Sequence, residues 1–416
     1  MKKVSDYVEG LKEYAISTLG KLISIPTVNP PGGMYVDAAN FLKDELEGIG
    51  LDVDLIEIPD SYLDRHYPYS PQHKGHRRLI VYGRLGNRGP RLHFNGHYDV
   101  VPAGGGWRFD PFKPTIIDGK VYGRGANDMK GGITSILMML KVLVKFDLIS
   151  NGTLEVAFVP DEESSGIGTK YLVEECNVIP DYVVVAEPSG IDRLAIGHKG
   201  LVRGMVKIKG RQAHASMPWI GDNAFVKASE LIVKFKDRYE KILSSRRTTY
   251  PVDVPKGLYP TINLGGYAES TSRKESIVPG EFIFSIDRRT IPEEDPLEVE
   301  EELKHILIES AKEVGAEIDV NIITNIPAAA IPIDSKIVRF ACGCIKGIIG
   351  KDPRVGLSLG RTDLGYYIFK GSKGIMYGPG KIEGSHTTDE YVELDDIIVA
   401  TKVFVALVTN FMAQDA

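Results

Sequence analysis

The chain has 416 residues, a length typical of two or three domains. With 43% hydrophobic and 25% charged residues, its composition is globular, which excludes wholesale disorder and a coiled coil. The 50 basic and 56 acidic residues give a net charge of −6, which argues against a general binder of the nucleic-acid backbone. The 44 glycines are about 10.6% of the 416 residues, above the usual ~7%. This excess predicts many tight turns and close backbone approaches.

The cysteines and the apolar segments bear on the compartment. Cys176, Cys342 and Cys344 are too few for a disulfide framework in so long a chain, which favours a reducing cytosol. The N-terminus carries acidic residues where a signal peptide requires an apolar core. The most apolar stretch, residues 133–146, is interrupted by two lysines and is too short to span a bilayer. We therefore expect a cytoplasmic protein that contacts neither a membrane nor nucleic acid.

The first half of the chain predicts a layered α/β domain. A helix, a Pro/Gly break, a helix over 38–49 and a strand over 51–58 come first. Residues 60–76 are polar and aromatic, and we interpret them as a surface excursion with three solvated histidines, His66, His73 and His76. Short apolar strands then alternate with helices, which predicts a largely parallel sheet. The predicted elements are strands over 79–82, 91–95, 154–159 and 182–186 and a helix over 130–146.

The pattern changes after about residue 201. The next predicted elements are a strand over 202–208, a helix over 223–243, strands over 261–264 and 281–286, a helix over 296–314 and a strand over 317–323. That β-α-β-β-α-β order is ferredoxin-like. The α/β character then returns. We therefore predict a discontinuous catalytic domain, 1–201 and 326–416, interrupted by an inserted ferredoxin-like domain, 202–325.

Ligand-type side chains occur where the predicted strands end. Taken singly, each has an ordinary explanation, such as a helix cap for Asp128 or a solvated loop for Glu162 and Glu163. Ligands bind beyond the carboxyl ends of the strands in open α/β sheets, so five such segments together predict a metal site. The segments are Gly96-His97-Tyr98-Asp99, Asn127-Asp128-Met129-Lys130-Gly131, Pro160-Asp161-Glu162-Glu163, Ala186-Glu187-Pro188 and Gly384-Ser385-His386-Thr387-Thr388-Asp389-Glu390.

Four motifs in these segments are shared with a known family. They read Gly96-His97-Tyr98-Asp99-Val100-Val101-Pro102, Gly123-Arg124-Gly125-Ala126-Asn127-Asp128-Met129-Lys130-Gly131, Asp161-Glu162-Glu163 and Ser385-His386-Thr387. Over essentially its whole length, the sequence resembles the di-zinc amidohydrolases that include acetylornithine deacetylase, succinyl-diaminopimelate desuccinylase, aminoacylase and glutamate carboxypeptidase. The resemblance implies an α/β zinc-hydrolase domain with an inserted dimerisation or lid domain. It also implies two Zn²⁺ per chain, with Co²⁺ or Mn²⁺ as substitutes.

The resemblance assigns the ligands of both ions. One zinc ion would be held by His97, Glu187 and Asp128. The other would be held by Glu163 and His386, with Asp128 bridging the two ions. Each ion then has one imidazole and hard oxygen ligands, a donor set that suits zinc and leaves room for a shared water.

The same resemblance implies catalytic roles for three further residues. Asp99 would orient the imidazole of His97. Glu162 would be the general base, because it adjoins a ligand while its own side chain stays free for the attacking water. His214, in the inserted domain, would stabilise the tetrahedral oxyanion across a dimer interface, which implies a homodimer through that domain.

Substrate-binding residues are also implied by the resemblance. Arg288 resembles the arginine that grips a substrate carboxylate, for which a planar fork is suited. Asn263 is a weaker candidate for the same pocket. The loop with Gly360 and Arg361 departs from the family, because a small residue is usual where Arg361 stands. Arg361 either contacts a different acidic group of the substrate or points to solvent.

These expectations combine into one leading function. We expect a metal-dependent hydrolase that cleaves the amide bond of N-acyl amino acids, as acetylornithine deacetylase and succinyl-diaminopimelate desuccinylase do. The alternative is a dipeptidase or carboxypeptidase on the same scaffold. Glutamate rather than aspartate at Glu187 resembles the deacylases more than the peptidases. A remote alternative is a non-catalytic binding protein, against which the complete ligand set argues.

Overall fold

The computed structural model describes residues 2–149 and 151–413. The chain divides into two units. Unit 1 comprises Met1–Gly197, Ile331–Gly356 and Thr362–Ala416, and unit 2 comprises His198–Ala330 and Leu357–Arg361.

The helices and strands are numbered in chain order. The helices are α1 (Lys2–Glu9), α2 (Lys12–Ile23), α3 (Tyr35–Ile49), α4 (Asp60–His66), α5 (Gly131–Lys145), α6 (Ile167–Glu174), α7 (Ala224–Ser245), α8 (Pro296–Glu313), α9 (Lys336–Ile349), α10 (Leu364–Phe369) and α11 (Leu394–Ala413). The strands are β1 (Asp52–Ile58), β2 (Arg78–Leu85), β3 (Arg91–His97), β4 (Thr115–Ile117), β5 (Lys120–Tyr122), β6 (Thr153–Val159), β7 (Tyr182–Val185), β8 (Arg193–His198), β9 (Gly200–Lys209), β10 (Ala213–His214), β11 (Thr261–Ser270), β12 (Ile277–Val278), β13 (Glu281–Thr290), β14 (Glu317–Ile326), β15 (Ala329–Ala330), β16 (Arg354–Ser358), β17 (Lys373–Met376) and β18 (Tyr391–Glu393).

The strands at the centre of the unit 1 sheet are parallel. The sheet runs in the order β1-β2-β6-β3-β7-β17-β8. Strand β3 pairs in parallel with β6 and β7, and β17 with β7, whereas β1, β2 and β8 pair antiparallel with their neighbours. Every residue of β6 is buried, as expected of a strand covered on both faces. The sheet is therefore mixed, and the predicted parallel pairing describes its centre.

Helix α5 lies against the end of β7 because its first residues are glycines. A Cβ atom on Gly132 would lie 2.0 Å from the carbonyl oxygen of Ala186, so a larger residue there would displace the helix. The irregular turn Ala126–Lys130 leads into α5 and carries Asp128. This close approach brings Asp128 to the strand end that is followed by Glu187.

Unit 2 has the predicted ferredoxin-like order. Strands β9, β11, β13 and β14 form an antiparallel sheet in the order β11-β13-β9-β14, and α7 and α8 pack against it. Its apolar core includes Val206 and Phe284 from the strands, Leu231 and Phe235 from α7 and Leu303 from α8. Along β13 the burial alternates, which is the pattern of a sheet covered on one face. The predicted α/β fold with a ferredoxin-like insertion is confirmed.

The segment Leu357–Arg361 belongs to unit 2, although we predicted residues 326–416 to be part of the catalytic domain. The backbone N–H of Leu357 donates to the carbonyl of Pro251 at 2.9 Å. Leu359 packs so close to Gly257 that a Cβ atom there would lie 2.8 Å from the leucine Cδ2. These contacts join the segment to a loop of unit 2 that is about 100 positions away in sequence, a pairing that local pattern does not reveal.

The excursion over 60–76 is more ordered than predicted. Residues Asp60–His66 form α4, and the prediction that His73 is solvated is wrong. The His73 side chain is 0% exposed, and its Nε2 lies 3.1 Å from a carboxylate oxygen of Asp64. The ring also packs edge-on against Tyr67. The segment folds back onto unit 1 because its aromatic side chains are buried there.

One helix in the described part of the chain, α11, is long and apolar enough to cross a membrane, with a mean hydropathy of 1.7. In the structure 67% of its most apolar window is buried, and the helix packs against α5 and α9. A core helix of this kind meets the same length and composition criteria as a membrane span.

Candidate metal centre

The predicted ligands meet at one edge of the unit 1 sheet, at the carboxyl ends of its central strands. His97 is the last residue of β3, and Glu187 comes two residues after β7. Glu162 and Glu163 lie on a short turn after β6, and His386 follows a longer loop after β17. Parallel strands end on the same side of a sheet, which is why residues so far apart in sequence meet here.

Two imidazoles and the carboxylates form one cluster. The Nε2 atom of His97 lies 3.2 Å from Asp128 Oδ1 and 3.6 Å from Glu187 Oε1. The Nε2 atom of His386 lies 3.0 Å from Glu163 Oε1 and 3.6 Å from Asp128 Oδ2. Asp128 therefore presents one oxygen to each imidazole and lies between the two halves of the cluster. The peptide bond that follows Asp128 is cis.

The cluster is strongly charged and mostly buried. Burial and the neighbouring Asp128 carboxylate raise the pKa of Glu187 well above its ordinary value. Burial opposes protonation of His97, but the surrounding carboxylates outweigh it and raise its pKa well above the ordinary value. The hydrogen bond to Glu163 raises the pKa of His386 to about 9. Carboxylates that lie this close together repel one another, so positive charge between them would stabilise the cluster.

The donor set fits divalent metal ions. One ligand atom each from His97, Glu162 and Glu187 lies within 4.8 Å of the others, and the same holds for His97, Asp128 and Glu163. Imidazole nitrogen and carboxylate oxygen are the ligands of catalytic zinc sites, and they also suit manganese and cobalt. Four carboxylates against two imidazoles leave a surplus of negative charge that bound cations would neutralise.

Asp99 holds both His97 and the turn that carries the two glutamates. Its Oδ1 lies 3.5 Å from His97 Nδ1, and its backbone carbonyl lies 3.0 Å from the same nitrogen. Its carboxylate also accepts the backbone N–H groups of Glu162 and Glu163, at 3.1 and 3.2 Å. The first contact corresponds to the orienting role that we predicted. The second links the ends of β3 and β6 and was not apparent from the sequence.

Glu390 supports the turn of Asp128, a role that was not predicted from the sequence. Its Oε1 accepts the backbone N–H groups of Asn127 and Asp128, at 2.9 and 3.0 Å. Its other oxygen pairs with the buried guanidinium of Arg124, at 2.5 Å. Glu390 is part of the segment that carries His386, so proximity to a ligand was the available signal.

Two predicted residues of unit 2 are exposed. His214 lies on the short strand β10, where its Nδ1 accepts a hydrogen bond from the backbone N–H of Ser216 at 3.1 Å. Asn263 lies on β11 with an exposed side chain. Their predicted roles toward the oxyanion and the substrate stay predictions.

Arg288 has a complete set of partners inside unit 2. Its guanidinium is 0% exposed, donating from Nη2 to Glu294 at 2.5 Å and from Nε to the Tyr239 hydroxyl at 3.1 Å. Its Nη1 donates to the carbonyl of Arg289. Because side chains alternate along a strand, Arg289 is on the opposite face of β13, where it pairs with Asp287 at 2.7 Å. In the structure Arg288 therefore packs within unit 2, and this role differs from the predicted binding of a substrate carboxylate.

Gly360 and Arg361 lie in the segment that joins unit 2. A Cβ atom on Gly360 would lie 3.9 Å from its nearest neighbour, Ser358 Oγ, so a larger residue would fit at this position. Arg361 is half-buried, and its charge is close enough to His198 to help lower the pKa of that imidazole. Burial, together with this cation, lowers the pKa of His198 to about 4. Of the two alternatives for Arg361, an orientation toward open solvent is therefore the less consistent with the structure.

Comparison with known proteins gives a family for most of the chain. Residues 93–410 match the model described as Peptidase family M20/M25/M40. A succinyl-diaminopimelate desuccinylase of Nautilia profundicola is 28% identical over 408 residues, covering 94% of this chain and 97% of that protein.

Solved structures share the fold. Human carnosine dipeptidase 1 superposes with a TM-score of 0.81 at 18% identity, covering 99% of this chain and 98% of its own. The Bacillus subtilis YXEP protein, described as a dinuclear metal binding peptidase, superposes with a TM-score of 0.67 at 14% identity, covering 97% and 99% of the two chains. At these identities the likeness establishes the fold and leaves the substrate open.

Proposed function

The chain belongs to peptidase family M20/M25/M40, and from this premise we propose that it removes the acyl group from an N-acyl amino acid, as a succinyl-diaminopimelate desuccinylase does. It is a metal-dependent amidohydrolase. The observation that carries the proposal is the cluster of two imidazoles and four carboxylates at the edge of the unit 1 sheet. The likeness to the desuccinylase extends over 94% of the chain and supports this substrate class.

We propose that two zinc ions bind in the cluster. His97 and Glu187 would hold one ion, Glu163 and His386 the other, and Asp128 would bridge them. When bound, the ions supply Lewis acidity toward the substrate carbonyl and lower the pKa of the attacking water. Asp99 would keep the His97 imidazole in one tautomer and orientation.

Glu162 is the proposed general base. It is nearly buried, and one of its oxygens lies within 4.8 Å of ligand atoms of His97 and Glu187. The Glu162 carboxylate would take a proton from the attacking water as the water oxygen bonds to the amide carbon. It would then return that proton to the amine nitrogen as the carbon–nitrogen bond breaks. Such proton transfer typically contributes ~10²–10⁴ in rate.

A substrate panel tests the proposal. The purified protein would be incubated with N-succinyl-diaminopimelate, N-acetylornithine, N-acetylmethionine and simple dipeptides, and the release of free amine would be measured. We expect the highest kcat/KM with an N-acylated amino acid that carries an acidic group. Turnover of dipeptides alone would instead establish the dipeptidase or carboxypeptidase alternative. Turnover of nothing in the panel by the metal-loaded protein would contradict the proposed substrate class.

We also propose a homodimer through unit 2 that brings His214 to the site of the partner subunit. The support is the exposure of His214 on β10, because the family role requires a side chain that is free to reach another chain. A protein that stays monomeric in solution at working concentration, with full activity, would contradict this role. These observations do not bear on the predicted location in the cytoplasm, which stays a prediction.

A further inference from the structure

A buried polar cluster lies behind the turn that carries Glu162 and Glu163. Asp161, the residue just before this turn, has a left-handed backbone conformation, with φ of 61°, and a fully buried side chain. Three side chains hold its carboxylate. Tyr35 OH and Asn29 Nδ2 donate to Oδ1 at 2.9 and 3.0 Å, and Arg78 Nε donates to Oδ2 at 3.1 Å.

Asn29 connects this cluster to the residues that face the metal centre. Its Nδ2 also donates to Asp99 at 2.8 Å, and its Oδ1 accepts from Ser164 Oγ and Tyr67 OH, each at 2.7 Å. Asn29 thus contacts Asp161 at one end of the turn and Ser164 at the other. Through Asp99 it also reaches the carboxylate that accepts the two backbone N–H groups between them. One amide side chain therefore spans the whole turn.

Arg78 is anchored on all sides. Its Nη1 donates to the carbonyls of His73 and His76, at 3.2 and 2.6 Å, and its Nη2 donates to the carbonyl of Pro31 at 2.6 Å. The guanidinium is fully buried, and a Cβ atom on Gly32 would lie 2.7 Å from it. A planar fork with this many fixed acceptors has one orientation, so it fixes the place of the Asp161 carboxylate.

We propose that Arg78, Asn29 and Tyr35 are positioning residues that set the orientation of Glu162 by holding Asp161. Glu162 lies on a three-residue turn, so no long element fixes its backbone. A general base must lie within hydrogen-bond reach of the proton it takes, and a 1 Å misplacement can lower the rate by about 10²-fold. The inference rests on the proposed role of Glu162. It extends the catalytic apparatus to residues that touch neither substrate nor metal.

The first test measures the turn itself and needs no substrate. Hydrogen exchange of the Glu162 and Glu163 amides would be compared in the metal-loaded wild type, Arg78→Met and Tyr35→Phe. We expect exchange to be about tenfold faster in both variants, because the hydrogen bonds to Asp99 depend on the fixed turn. The control is Tyr377→Phe, which removes a partly buried hydrogen bond of a tyrosine hydroxyl elsewhere in unit 1, to the backbone carbonyl of Ile191 at 2.9 Å. Unchanged exchange in both test variants would overturn the proposal.

The second test is a double-mutant cycle on kcat with Glu162→Gln. At two bound metal ions per chain, we expect Arg78→Met to lower kcat about 10²-fold and Tyr35→Phe about threefold to tenfold, with KM within twofold of the wild type. In the Glu162→Gln background, either change should lower kcat by no more than about twofold, because its effect acts through Glu162. If the losses in kcat of the two single variants multiply in the double variant, the residue acts independently of Glu162. That result would show a merely structural role and overturn the proposal.

Failure of the inference differs from failure of the proposed function. If Glu162→Gln alone retains wild-type turnover, the general base is assigned wrongly, and the proposal that rests on it is overturned with it. If Glu162→Gln is inactive but Arg78→Met and Tyr35→Phe both keep wild-type kcat and wild-type amide exchange, only the positioning role is overturned. Should Arg78→Met fail to fold, Tyr35→Phe decides, because it removes a single hydrogen bond and no charge.

Discussion

Each unit of the protein has a cluster of charged side chains that is at least partly buried, and the two clusters balance their charge differently. In unit 2, Arg288 and Arg246 share the carboxylate of Glu294, at 2.5 and 2.8 Å, and Arg246 also pairs with Glu302. Two guanidinium groups therefore face two carboxylates. The hydroxyl of Tyr239 accepts a further hydrogen bond from Arg288.

In unit 1 the carboxylates are in excess. Asp128, Glu162, Glu163 and Glu187 lie around two imidazoles, with no arginine or lysine among the nearest partners that the described residues provide. A buried carboxylate without a cation is costly, and crowding raises its pKa instead of pairing it. A charge-balanced cluster is therefore complete without further ions, whereas a cluster with surplus carboxylates is suited to bind cations from solution.

The largest expected effect comes from removing the proposed general base of the unit 1 cluster while the five proposed metal ligands stay in place. Glu162→Gln should lower kcat by ~10²–10⁴ while both metal ions stay bound, because the amide cannot take a proton. Steady-state kinetics with metal analysis of the same sample would measure this. Glu13→Gln, an exposed change in the same unit, should behave like the wild type. A Glu162→Gln protein with near-normal turnover would contradict the assignment.

The second effect breaks the balance of the unit 2 cluster. Arg288→Met should lower the free energy of unfolding by about 3–4 kcal/mol, because the buried Glu294 keeps only Arg246, and the Tyr239 hydroxyl and the Arg289 carbonyl each lose a donor. Metal content should not change. Denaturant unfolding would measure the loss, with Arg289→Met as the control, whose partly exposed pair should account for ~1 kcal/mol or less. Equal losses in the two variants would argue against a packing role for Arg288.

The third effect removes the cations that the unit 1 cluster is proposed to bind. Chelation should lower the unfolding free energy by about 3–4 kcal/mol relative to protein saturated with zinc, because ligand that binds only the native state stabilises it. Thermal unfolding with and without chelator would show the shift, and His97→Ala should reduce it. If the chelator leaves the melting temperature of the wild type unchanged, the surplus carboxylates are not a metal site.

The smallest effect is a pH dependence in unit 2. Burial and the nearby Arg361 lower the pKa of His198 to about 4, below its ordinary value of 6.5. A group whose pKa is depressed by folding stabilises the protein fully above its unfolded pKa, and that contribution is lost as the pH falls from the unfolded pKa to the folded pKa. About 2 kcal/mol should be lost between pH 7 and pH 5. His198→Gln should flatten this part of the profile, whereas His305→Gln, at an exposed position, should not.

Much of the fold could be predicted because it is encoded locally. Strand β6 and helices α5, α7 and α8 lie within a few residues of their predicted limits, since apolar periodicity and turn residues mark them. The ligands His97 and Glu187 could be predicted for a related reason. Each stands where a strand ends, and the family motifs add specificity to that position.

The supports of the site could not be predicted, because their partners are distant in sequence. Asp99 and Glu390 accept backbone N–H groups from segments 63 and 262 positions away, and nothing in either local sequence indicates such a pairing. The burial of His73 was missed for a different reason: its partners Asp64 and Tyr67 are close in sequence, but a polar and aromatic segment carries no local sign that it is packed. Which face of β13 carries Arg288 could be derived from alternation, but its pairing with Glu294 depends on how the next helix begins.

The metal content of the purified chain tests the central claim most directly. Elemental analysis of protein expressed with zinc and freed of loosely bound ions should find about two divalent ions per chain, with amide hydrolysis lost on chelation and regained with added metal. Protein that folds, hydrolyses N-acyl amino acids and contains no divalent metal would contradict the account.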